Sequence, residues 1–255
     1  ESAAEARSRQ ARLRTDPAPY RTALERASAP AMQEFLAEFP GHDMQAAAEA
    51  ALPDLAGRDL FDLLREKKLQ LRLRPRTGGA VVLGLQRNTP HPLVVRVPRG
   101  MLLAPRERTW GTLVVPTEST ITLRPTAWVD TSLQALALQS RPVWRTGPLD
   151  YAVRPPGEPA ALTPVLAQAE AARSSREVTA LAVWIATLNE ALWSLGYQSR
   201  AHGLREASAY EAALALQIVD KAGIDLATRS AWGERSNLAR QLPPGPVKAW
   251  LESAR

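Results

Sequence analysis

The feature that most constrains this chain is a change of hydrophobic period, and it happens twice. Up to about residue 68, apolar side chains recur at helical spacing. Tyr20, Ala23, Leu24 and Ala27 fall on one face, and Met32, Phe35, Leu36 and Phe39 make the next apolar stripe. At Leu69 the period drops to two. Leu69, Leu71 and Leu73 alternate with Gln70, Arg72 and Arg74, the pattern of a half-buried strand with one basic face. After Thr163-Pro164 the helical spacing returns. Helices, then strands, then helices imply an α+β fold, because the elements do not alternate as βαβ units would.

Local signals divide the chain further. Asp16-Pro17 and Ser28 with Pro30 read as helix starts, and Pro40-Gly41 as a stop. Two more helices are expected over 46–52 and 55–68, and a solvated Ala/Arg-rich helix over 3–13. Gly78-Gly79 is a turn after the first strand. Short segments at 80–86, 93–97, 101–103, 111–115, 120–123 and 127–138, bounded by Pro, Gly or Asn, predict an antiparallel β-sandwich. Pro142, Pro148, Pro155, Pro156 and Pro159 mark a surface connector. Helices then follow at 165–173, 176–195, 207–221 and 246–254, with Gly223 a helix stop and Ile224 its apolar contact. The expected organisation is N-terminal helical hairpins over 1–68, a central antiparallel sandwich over 69–140, a Pro-rich connector over 141–160 and a C-terminal helical bundle over 161–255.

Composition excludes several classes. An apolar content of 45% and a charged content of 23% are those of a globular protein. There is no cysteine, so disulfides and thiolate metal sites are excluded, and a periplasmic (extracytoplasmic) or a cytoplasmic location fits equally. The longest apolar run, around 181–188, is too short to span a membrane. No signal peptide is read, and a start at Glu1 without methionine fits a processed or trimmed chain. The excess of Arg over Lys, with abundant Ala and Leu, suggests a high-GC bacterial genome.

Charge is concentrated. Residues 65–108 carry eleven Lys/Arg and two acids, a net +9 in a chain of net +6, so the remainder is −3. Within that window Arg72, Arg74 and Arg76 form a row, since side chains two apart on a strand point the same way about 7 Å apart. With Arg96 and Arg99 they are the candidate anion- or partner-binding residues. The competing reading is an edge strand guarded by charge, or ion pairing with acids of the helical parts. The interleaved residues are leucines, so no aromatic platform for base stacking lies among them.

No catalytic or phosphate-cradling motif appears. His42, His91 and His202 are far apart, with no i,i+4 pair for zinc. His202 lies in an inter-helix loop, His91 between two prolines reads as a turn residue, and His42 as a solvent-facing loop residue. Asp54, Asp59 and Asp62 are expected on or before a helix start, where they offset the dipole; they do not make a calcium loop. Trp184, with Leu181, Leu188 and Leu192, is expected in the core. Trp144, between Arg141 and Arg145, is expected to anchor the connector.

Two stretches carry a resemblance. "YRTALERASAPAMQEFLAEFPGHDMQAAAEAAL" resembles about one TPR-like α-repeat. Asn88-Thr89-Pro90-His91-Pro92-Leu93 to Val97-Pro98-Arg99-Gly100, then Ala182 to Thr187, then Ile218 to Asp225, are similar to uncharacterised bacterial proteins that join an Ig-like sandwich to a helical segment. The resemblance implies an architecture and no activity. The expectation is therefore a non-catalytic interaction or scaffold module, with no cofactor, presenting a basic sandwich face to an anionic protein surface. Nucleic-acid binding through the same face is the alternative, motivated by a pI near 10.1. A hydrolase with an unrecognised site is the third reading.

Overall fold

A computed structural model describes residues 14–75, 80–106, 111–138, 151–201 and 203–253. It is a mixed α+β protein. Expectations for the helix over 3–13, the Gly78-Gly79 turn, Arg76, Trp144 and His202 lie outside the described residues. The chain divides into two compact units. One comprises 1–72, 84–97 and 119–131, the other 73–83, 98–118 and 132–255.

The first unit opens with α1 (Ala18–Arg26), α2 (Ala29–Glu38) and α3 (Gln45–Leu55). Their limits follow from local chemistry. Asp16 accepts the Ala18 N–H at 2.9 Å. Ser28 Oγ accepts from the Ala31 N–H, and Pro30 occupies the first turn of α2, where a missing N–H is harmless. Met32, Phe35, Ala48, Ala51 and Leu55 form the buried seam of the three helices.

The single helix expected over 55–68 is replaced by three pieces. Gly57, at φ 92°, turns the chain out of α3. Arg58–Asp59 (β1) then pair in parallel with β4 (Leu93–Val97). Asp59 caps a six-residue α4 (Leu60–Arg65) by accepting the Phe61 N–H at 2.8 Å. The other neighbour of β4 is β7 (Ser119–Leu123), paired antiparallel with Leu93 opposite Leu123 and Arg96 opposite Thr120.

In the second unit, β10 (Tyr151–Arg154), β5 (Leu102–Pro105), β6 (Leu113–Val114) and β9 (Leu136–Ala137) form an antiparallel sheet in that order. Strand β10 corrects the connector: four residues of the Pro-rich stretch are an edge strand. A further sheet has the order β2 (Leu69–Pro75), β3 (Ala80–Arg87), β8 (Val129–Gln134), and residues of each strand belong to both units. Leu69 is buried, Gln70 and Arg74 are exposed, and Leu71 and Leu73 are half-buried. The alternation expected of β2 thus holds at Leu69, Gln70 and Arg74, while Leu71, Arg72 and Leu73 are all half-buried.

The helices of the second unit are α5 (Leu162–Ala171), α6 (Arg176–Leu188), α7 (Leu192–Ala201), α8 (Ala209–Lys221), α9 (Arg235–Gln241) and α10 (Pro246–Ser253). The continuous helix expected over 176–195 breaks because Asn189 takes a left-handed conformation at φ 54°. Its side chain then accepts the Ser230 N–H at 2.8 Å. Gly223 at φ 78° ends α8 as expected. Trp184 is fully buried among Leu181, Val183 and Ile185, and its indole N–H donates to the Ala137 carbonyl at 2.7 Å. No helix among the described residues is long and apolar enough to cross a membrane.

Candidate functional site

The structure places four of the five sequence-selected arginines, apart from one another. Arg72, in the first unit, departs from the expected outward pose because its side chain lies across Gly84 of β3. A Cβ at Gly84 would sit 2.6 Å from Arg72 Cγ and Nε and 2.8 Å from Asp130 Oδ1. From there the guanidinium stacks 4.4 Å from the Trp128 ring centroid, and Nη2 donates to Asp130 Oδ1 at 3.1 Å. A glycine in the central strand therefore lets one arginine strap across the sheet to its third strand. Arg74, on β2, is exposed, and Arg76 lies outside the described residues. Arg99, in the second unit, pairs with Glu170 of α5. Arg96, in the first unit, is the exposed position of β4 and its four strand neighbours are buried.

Much of the +9 window is met by carboxylates from elsewhere in the chain. Asp62 takes Arg65, Asp54 takes Lys68, Asp130 takes Arg72 and Glu170 takes Arg99. Also outward in the first unit is a strand face. On β7, Thr120 and Thr122 are exposed while Ile121 and Leu123 are buried, and Arg124 follows in the same alternation. Arg96 lies directly opposite Thr120. Two guanidinium-bearing positions thus flank a pair of hydroxyls on one sheet face, a donor set suited to carboxylate or phosphate oxygens.

Sequence reasoning missed a buried polar cluster in the same unit. Asp54 does not sit at a helix start. It lies in the last turn of α3 with its side chain only 1% exposed. Lys68 Nζ donates to both its oxygens, at 3.0 and 3.1 Å, and His91 Nε2 approaches Oδ2 at 2.8 Å. Arg58 reaches it at 3.5 Å and is held more tightly by Glu66. Burial alone would raise the Asp54 pKa, but the hydrogen bonds from His91 and Lys68 outweigh it, and the carboxyl titrates below the usual aspartate range. The hydrogen bond from Arg58 likewise lowers Glu66. An ionised carboxylate only accepts, so His91 Nε2 carries the hydrogen.

His91 is therefore more than a turn residue: it is a ring oriented by a buried carboxylate. That is half of a base-and-orienter pair. Among the described residues no hydroxyl is hydrogen-bonded to its other ring nitrogen. One sequence signal pointed here. Asp54 stands three residues after Ala51 and beside Leu55, on the apolar side of α3, where a solvated aspartate does not belong.

His42 is a second correction. It is 3% exposed, because Phe35 and Phe39 pack against it edge-on at 5.1 and 6.2 Å. Its Nδ1 accepts the Met44 N–H at 3.0 Å, so Nε2 carries the hydrogen and donates to the Asp16 carbonyl at 2.8 Å. Both ring nitrogens are used in tying the start of α1 to the loop before α3. Among the described residues no group of three or more His, Asp or Glu is placed to hold a metal ion.

Comparison with known proteins finds no family model, no curated protein and no solved structure that matches this chain.

Proposed function

We propose that this chain is a non-catalytic interaction module that presents a basic strand face to an acidic protein surface. The observation that carries the reading is the exposed Arg96, set among buried residues of β4 and directly opposite Thr120, with Thr122 and Arg124 continuing the same face on β7. A charged side chain at that point of a strand contributes little to the core, while a row of donors on a rigid sheet meets an anionic partner at low entropic cost. Arg72 and Arg99 are held to Asp130 and Glu170, so their attraction for an outside anion is reduced. The antiparallel sandwich expected over 69–140 is part of this proposal, and the antiparallel pairing of β4 with β7 supports it.

The test is a salt titration of binding to poly-glutamate and to duplex DNA, with wild type and the Arg96→Glu, Arg124→Glu double variant. Poly-glutamate binding that weakens with salt and disappears in the double variant, with an unchanged thermal melt, supports the proposal. DNA retained at moderate salt with a log–log slope that falls by about 2 in the variant would favour nucleic acid instead. Equal binding by both proteins would overturn the assignment of this face.

A further inference from the structure

The second unit contains a groove that the basic strand face does not involve. It has a volume of about 530 Å³ and is lined by α8 and by the end of α5 with the turn into α6. One stripe of α8 runs along it. Tyr210, Leu214, Gln217 and Lys221 all line the groove, and their spacing puts them on one helix face. At about 1.5 Å per residue, Tyr210 and Lys221 stand about 16 Å apart along the helix axis. The bottom is apolar: Val178 and Ile218 are buried and Leu214 is half-buried.

The polar groups along the groove are not used by the fold. Arg173, on the turn after α5, and Lys221, in the last turn of α8, are exposed, and among the described residues neither has an ion pair or a side-chain hydrogen bond. The side-chain amides of Gln168 and Gln217 are likewise without a hydrogen-bond partner among the described residues. The lining has one carboxylate, Glu211, and its oxygens are taken by Arg205 and by the N–H and hydroxyl of Ser208. The groove therefore offers two cations and two amides over an apolar bottom, with its own acid already neutralised.

Length and chemistry together select an occupant. An extended chain covers about 3.3 Å per residue, so about five residues span the distance from Tyr210 to Lys221. A side-chain amide carries both a donor and an acceptor, which match the C=O and N–H of a peptide backbone; an aliphatic chain has neither. The cations complement carboxylates, and the apolar bottom takes an aliphatic side chain. We propose that this groove binds an extended acidic peptide segment of a partner protein, its carboxylates near Arg173 and Lys221 and one aliphatic side chain over Leu214 and Ile218. The groove lies in the second unit and the β4–β7 face in the first, so either assignment survives failure of the other. Poly-glutamate has no aliphatic side chain for the groove, so a leucine-containing peptide reads this site apart from that face.

The probe is the acetylated pentapeptide Glu-Glu-Leu-Glu-Glu, titrated calorimetrically into the full chain. An analogue with every Glu replaced by Gln tests the charge, and one with Leu replaced by Gly tests the aliphatic side chain, with no change to the protein. Octanoate tests a small-molecule occupant. The expected result is saturable binding of the pentapeptide, with both analogues and octanoate weaker by about tenfold or more. Arg173→Glu with Lys221→Glu, both at exposed positions, should weaken the pentapeptide by about tenfold or more. Ala171→Trp, at an exposed position on the lining, should block it while keeping both cations. Arg96→Glu with Arg124→Glu should leave it unchanged. Absence of pentapeptide binding, equal affinity for either analogue or for octanoate, or binding unchanged by Ala171→Trp would each overturn the proposal. Loss of binding in the Arg96, Arg124 variant would also do so, because it would put the peptide on the strand face.

Discussion

Removing the Asp54 carboxylate is the sharpest test of the buried cluster. Its side chain is 1% exposed and accepts from Lys68 at 3.0 and 3.1 Å and from His91 at 2.8 Å. Breaking a buried pair by removing one partner costs about 3–5 kcal/mol, because the other charge is left uncompensated. Two features place this case near the lower end. The Lys68 side chain is 35% exposed and can turn to water, and Arg58 keeps Glu66. Asp54→Ala should therefore lose about 3 kcal/mol. Asp54→Asn retains an amide oxygen for His91 and should lose about 1–2 kcal/mol.

Urea unfolding near neutral pH, with matched spectroscopic probes, measures both. The Asp54 pKa is lowered from 3.8 on folding, so the carboxylate's contribution is complete above that value and fades as pH falls below it. The gap between wild type and Asp54→Asn should accordingly narrow in strong acid. A loss under about 1 kcal/mol for Asp54→Ala would refute the reading that the bonds from Lys68 and His91 to this buried carboxylate stabilise the fold.

Trp184→Ala should cost roughly 3–5 kcal/mol by truncating a fully buried ring, and Trp184→Phe about 1–3 kcal/mol, mostly from leaving the Ala137 carbonyl without its donor; thermal or urea unfolding separates the two. Arg72→Ala should cost only about 0.5–1 kcal/mol, since its pair with Asp130 is 41% exposed on both sides, while Arg72→Glu should cost more by setting a carboxylate against Asp130. A double-mutant cycle with Asp130→Ala measures the coupling, and a cycle with no coupling would remove the cross-strand strap. Glu211 is pulled from 4.5 to about 2, chiefly by its bond from Arg205. Its stabilisation is present above pH 4.5 and lost as pH falls toward 2, so Glu211→Gln should flatten the acid limb of a pH–stability curve over that window.

The sequence by itself determined the order of element types, because the period of apolar residues changes physically when a helix gives way to a strand. It also determined the ends that short-range chemistry sets: Ser28 capping α2, Gly223 ending α8, and Trp184 in the core of α6. A cap, a left-handed glycine and an apolar stripe act within one or two turns, so a reader of the chain sees the whole cause. The tertiary structure decided what depends on partners distant in sequence. Asp54 and His91 are 37 residues apart and meet because β4 packs beside the end of α3. Arg72 looks like an outward strand residue until Gly84 opens a path to Asp130, 58 residues away. The break at Asn189 is sealed by Ser230, and β10 is a strand because it pairs with β5. The basic window shows the same division. Its charge is a property of the sequence, but which charges are neutralised depends on Asp54, Asp130 and Glu170, brought there only by folding, and that leaves Arg96 on an outward strand face.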